Sequence, residues 1–99
     1  MPVLEISIMP IGTDEASFSS YVSQACEVVD KRGLQYQVTP MSTMVEGSME
    51  DLLAVVKDLH SLPFDTGVNR VITNVTIDER RDKELDMSSM VQAANQPQN

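Results

Sequence analysis

Residues 3–9 alternate: Leu4, Ile6 and Ile8 interleave with Glu5, Ser7 and Met9. Successive side chains of an extended chain point to opposite faces, so the pattern predicts a strand with one buried face. The period then lengthens. Phe18, Tyr21, Val22, Ala25, Val28 and Val29 recur at helical spacing, with Thr13 placed as N-cap. Asp14 and Glu15 fall in the first turn, Lys31 and Arg32 in the last, and Gly33 just beyond, as the helix dipole and a left-handed C-cap favour. Residues 34–39 predict a second strand with Tyr36 and Val38 on one face; Pro40 interrupts it because proline cannot donate to a ladder. Residues 43–47 form a third strand, Thr43 and Val45 to one face, Met44 and Glu46 to the other. Ser48 opens a second helix, with Asp51 three residues on in a near capping box. Its apolar stripe is Met49, Leu52, Leu53, Val56 and Leu59, and Pro63 ends it. Residues 64–69 read as a loop turning at Gly67. Residues 70–78 make the longest strand, Val71, Thr73, Val75 and Ile77 opposed to Ile72, Asn74, Thr76 and Asp78. A charged stretch runs to Asp86, and residues 87–94 predict a short C-terminal helix.

The order strand, helix, strand, strand, helix, strand fits two interleaved strand–helix–strand units. The predicted class is α+β: a ferredoxin-like βαββαβ sandwich, a four-stranded antiparallel sheet with helices on one face. One domain spans 1–95, and the polar tail 96–99 reads as disordered. The second sheet face is left uncovered, with Glu5, Ser7, Met9, Ile72, Asn74 and Thr76 as candidates for it. That mixture is too apolar for a purely solvated surface, which predicts a ligand or a homo-oligomer.

With 41% apolar and 22% charged residues over 99, the chain reads as an ordinary globular domain whose core is aliphatic, since it has four aromatics and no Trp. Its net charge of −8 argues against nucleic acid and anionic membranes and mildly favours a cationic small ligand, the plainer reading being that acidity keeps a small protein soluble. The single Cys26 excludes an intramolecular disulfide or a cysteine-rich zinc site. There is no pattern of a secretory leader and no apolar run near the ~20 residues of a membrane span, so the expected location is cytoplasmic.

The same inventory argues against an enzyme. Cys26 sits mid-helix with no histidine tied to it, and the lone His60 closes the other helix as an exposed polar residue. No nucleophile elbow, metal-ligand cluster or glycine-rich phosphate loop is present, so no cofactor or metal is expected. Binding fits better. Glutamate is depleted in strands and costly to bury alone, so Glu46 asks for a partner. It can accept from an amino-heterocycle, with the Thr43 hydroxyl beside it, or pair with Arg70 or Lys57 at the rim. Met9, Met41 and Met44 offer soft walls.

Three segments carry a resemblance: Met9-Pro10-Ile11-Gly12-Thr13, then Pro40-Met41-Ser42-Thr43-Met44-Val45-Glu46-Gly47, and Arg70 leading a strand into Ile77-Asp78-Glu79-Arg80-Arg81-Asp82. In order and spacing they resemble the thiamine-binding protein family over residues 3–91. The resemblance implies a ferredoxin-like, non-catalytic binder of thiamine or its hydroxymethylpyrimidine moiety, a sensor, carrier or buffer assembled as a dimer of dimers. It further implies ligand-binding roles for Pro10, Gly12, Thr13, Thr43, Glu46 and Arg70; Met41, Ser42 and Gly47 of the same segment and Asn74 of the uncovered face complete the candidate ligand-binding set. Two positions depart from the family pattern: Ser42 stands where glycine is frequent, and Met90 precedes Val91 where a basic residue is frequent. The alternative is an oligomeric interaction domain without a small-molecule ligand, with Glu46 at a subunit contact.

Overall fold

The alternating segments become one antiparallel sheet, because their apolar faces can be buried only against the two amphipathic helices. A computed structural model describes residues 1–12, 18–83 and 86–95. The elements run β1 (Val3–Ile11), α1 (Phe18–Lys31), β2 (Gln35–Val38), β3 (Thr43–Glu46), α2 (Met49–Ser61), a 3-10 helix (Leu62–Thr66), β4 (Arg70–Asp78) and α3 (Met87–Asn95). The sheet order is β2-β3-β1-β4. This is the α+β, ferredoxin-like arrangement read from the element order. Thr13 as an N-cap, Asp14 and Glu15 in a first turn, and the tail 96–99 lie outside the described residues.

Leu4, Ile6 and Val45 from the sheet, Ala25 and Val29 from α1, and Leu52, Val55 and Leu59 from α2 form one buried cluster. On α2 the stripe differs from the predicted one. At 100° per residue Leu52, Val55 and Leu59 fall along one line, whereas Leu53 is turned a step away and is 54% exposed. The Ser48 hydroxyl accepts from the Asp51 amide at 3.2 Å and caps the helix as expected.

Pro63 does not end helical structure outright. It sits near the start of the 3-10 turn, where its missing N–H leaves nothing unpaired, and Gly67 at φ 92° closes that turn. Residues 64–66, expected as loop, are therefore helical. His60, expected to be exposed, is half-buried: its Nδ1 lies 2.7 Å from Thr73 Oγ1 and its ring meets Phe64 edge-on at 5.6 Å. This contact ties α2 to β4 at the position of Thr73, which is directly opposite Ile8 in the ladder.

β1 runs two residues further than the alternation suggested, through Pro10 to Ile11, because of which edge is paired. The Gly47 N–H donates to the Pro2 carbonyl at 3.4 Å, and the Thr39 N–H donates to the Ser42 carbonyl at 2.8 Å. Both fix the same parity. Leu4–Val45 and Ile6–Thr43 are hydrogen-bonded pairs, so even-numbered residues of β1 turn their N–H and C=O toward β3. Pro10 lacks its N–H on that side, and β3 has already ended there. The other edge of β1 stays paired with β4 from Val3–Asp78 to Ile11–Arg70.

The face away from α1 and α2 is not wholly open. α3 packs against β3. Val3, which points to that face, is only 2% exposed, and Met87 at the start of α3 is 6% exposed. The short C-terminal helix thus closes the end of the face nearest Glu46. Met9 and Ile72, paired across β1 and β4, remain exposed at the other end.

Candidate functional site

One cavity follows from unequal strands. β3 has four residues and β1 nine. After the Ile6–Thr43 pair, β1 continues without a neighbour on this side while the chain reverses through Pro40 and Met41. Residues of α1 and α2 border the gap. The result is a cavity of about 410 Å³. Tyr21, Val22 and Ala25 of α1, Leu59 of α2, and Ile6 to Met9 of β1 make its walls, and residues 38–43 make its rim. Size and apolar walls with a few polar groups are what small-molecule sites require.

The rim is held by one hydroxyl. Thr39 Oγ1 accepts from the Ser42 amide at 3.0 Å and the Met41 amide at 3.3 Å, and donates to the Ser42 carbonyl at 3.0 Å. Pro40 fixes φ within the same turn. The turn is thereby braced, and it presents Met41, 84% exposed, at the mouth. The Tyr21 wall is fixed too. The Thr66 hydroxyl donates to the Pro63 carbonyl at 2.8 Å, so its oxygen is left to accept from Tyr21 Oη at 2.6 Å.

Other polar groups in the lining are uncommitted. The side chains of Ser7, Thr43 and Asn74 line the cavity and bond to none of the described residues. Ser7 and Asn74 are cross-strand partners on one face, and Thr43 belongs to the other. The cavity therefore wraps around the free edge of β1. Among the described residues the lining holds no Asp, Glu, His, Lys or Cys.

Of the residues singled out from sequence, Met41, Ser42, Thr43 and Asn74 come together here, and Met9 with them. The rest stand apart. Glu46 is half-buried on the opposite sheet face from Thr43, level with Val3 and Asp78. One ligand against one face cannot be read by both within a protomer. Nor does Glu46 form the rim ion pair considered above. Arg70 lies at the far end of β4, eight steps from Asp78, or about 26 Å at the rise of a strand. Lys57 projects from α2, on the other side of the sheet. Met44 shares the face of Glu46 and does not line the cavity. Gly47 is buried beyond Glu46, where an added Cβ would stand 3.1 Å from Leu34 Cδ2; its lack of a side chain serves packing. Pro10 lies on the free edge of β1, just past the lining, and Gly12 follows at φ 82°. Arg70 is exposed beside Ile11. Thr13 lies outside the described residues.

Tyr21, Val22, Ala25 and Leu59 were absent from the predicted site. Their helical spacing marks them as core, and nothing local distinguishes a core wall from a cavity wall. Outside the cavity, the Tyr36 phenol is held above its ordinary range, by desolvation first and then by its bond to the Asp30 carboxylate at 3.2 Å.

The profile of the thiamine-binding protein family matches residues 4–95. The UPF0045 protein YqgV of Bacillus subtilis is 38% identical over 99 residues, covering 96% of this chain and 95% of that one. The crystal structure of the hypothetical protein MJ1052 of Methanocaldococcus jannaschii superposes with a TM-score of 0.83 at 38% identity, over 94% of each chain. A candidate thiamine biosynthesis/salvage protein of Thermotoga maritima shares the fold, with a TM-score of 0.75 at 21% identity, covering 95% of this chain and 98% of that one.

Proposed function

The chain belongs to the thiamine-binding protein family, and on that premise we propose that the cavity at the end of β3 binds thiamine or its hydroxymethylpyrimidine moiety without transforming it. The observation that carries this reading is the cavity of about 410 Å³ with mostly apolar walls and the Ser7, Thr43 and Asn74 side chains, which bond to none of the described residues. An aminopyrimidine offers ring acceptors and an exocyclic amine that such groups can read. The thiazolium is cationic, and a chain of net charge −8 attracts it. Among the described residues the lining supplies no general base, and no three His, Cys, Asp or Glu side chains stand close enough to hold a metal. Both features favour a sensor, carrier or buffer over a catalyst. No described helix is long and apolar enough to cross a membrane.

Assembly belongs to the same proposal. Met9, 55% exposed, and Ile72, 39% exposed, pair on the uncovered part of the sheet, and a second copy of the chain would bury them. Calorimetric titration with thiamine and with hydroxymethylpyrimidine tests the ligand. Saturable binding with Kd below about 1 mM is expected for at least one of them. Weaker binding of both leaves the interaction-domain reading, in which Glu46 has a basic partner on another protomer; among the described residues of its own chain it has none.

A further inference from the structure

The strand parity that admits Pro10 also leaves the N–H and C=O of one residue without a partner among the described residues. Ile6 gives both its N–H and its C=O to Thr43. The next residue of β1 in the same phase is Ile8, and β3 ends before reaching it. Ile8 turns its amide and carbonyl toward the side that β3 has vacated, and neither group bonds to any described residue. After Ile8 comes Pro10 in phase, with a carbonyl and no donor. Ser7, Ile8 and Met9 all line the cavity. The free edge is thus a wall of the cavity and carries one adjacent donor and acceptor. The site is fixed from both sides, with Thr73 opposite Ile8 tied to His60 of α2 at 2.7 Å and the Thr39-centred turn across the gap.

We infer that the Ile8 backbone is the specificity element of the cavity. It takes a planar heterocycle whose ring acceptor and exocyclic amine lie side by side, in the place the next residue of β3 would have filled. The Ile8 N–H donates to the ring nitrogen, and the Ile8 carbonyl accepts from the amine. Backbone groups are present whatever side chain occupies the position, so no sequence motif marks this contact. The inference rests on reading the cavity as a thiamine-type site, and it adds what selects the pyrimidine edge.

The test uses the full chain and three probes: hydroxymethylpyrimidine, its analogue lacking the exocyclic amine, and its pyridine analogue with C–H in place of the ring nitrogen beside the amine. With saturating hydroxymethylpyrimidine, amide exchange followed by NMR should slow about tenfold or more at Ile8 and stay unchanged at Ile6, which is already paired. Each analogue loses one hydrogen bond and leaves its Ile8 partner unsatisfied, and should bind about tenfold more weakly. Thr43→Val should lower affinity for all three alike and preserve their ranking. Binding of hydroxymethylpyrimidine with Ile8 unprotected, or with the analogues within about twofold of it, overturns this inference and leaves the ligand reading standing. Absence of binding by any pyrimidine overturns both.

Discussion

The two ends of β3 lie three residues apart and differ in what surrounds them. At Thr43 the strand stops early, its β1 neighbour runs on alone, and a braced turn and two helices enclose space. At Glu46 the strand is paired on both sides, with Val3 and Gln35, α3 closes the outer face nearby, and Gly47 lets Leu34 pack within van der Waals distance. The more reactive side chain stands at the filled end. Space for a ligand is left where the ladder has a gap, and a carboxylate in a strand marks no cavity unless space adjoins it.

Filling the gap should have the largest effect. Thr43→Phe keeps a strand-forming residue and places a ring in the cavity. We expect thiamine affinity to fall by at least about 100-fold, or about 2.8 kcal/mol, with the circular dichroism unchanged. Affinity within a few-fold of wild type would move the ligand elsewhere. Loosening the rim comes next. Thr39→Val removes the acceptor of two amides and should destabilise the fold by about 1–2 kcal/mol in thermal denaturation, with Thr39→Ser restoring most of it. Unchanged stability in Thr39→Val would show that the hydroxyl does not hold the turn.

The other end of the strand should respond differently. Gly47→Ala pushes a methyl group toward Leu34, whose tip can give way, and should lower stability by about 1 kcal/mol without altering affinity. Glu46→Gln should do least, changing thiamine affinity by less than about twofold. A loss of a decade or more in calorimetry would place ligand on the α3 side of the sheet and reverse the contrast between the two ends.

Much of the fold was legible because it depends on local period. β4 begins at Arg70 and ends at Asp78 as its alternation predicted, and α2 begins at its Ser48 cap. The extension of β1 through Pro10 was not legible. Whether a proline fits a strand depends on which edge is unpaired, and that is a property of register. Of the residues singled out through resemblance and strand alternation, Met41, Ser42, Thr43 and Asn74 line the cavity. Glu46 drew notice because its residue type is rare in strands, but the same alternation puts it on the opposite face from Thr43. Tyr21, Ala25 and Leu59 could not be told from core, since the space beside them exists only because a strand distant in sequence is short.

Pro10 has a consequence for solubility. An unpaired strand edge is a template on which further chains can add, and proteins commonly blunt such edges. From Ser7 to Ile11 the free side of β1 offers a single amide, at Ile8, before proline breaks the series. An incoming strand would find one bonding register and then a position without a donor, too little to nucleate a fibril-like ladder. The edge is open enough to admit a small molecule and too poor in donors to recruit a polypeptide.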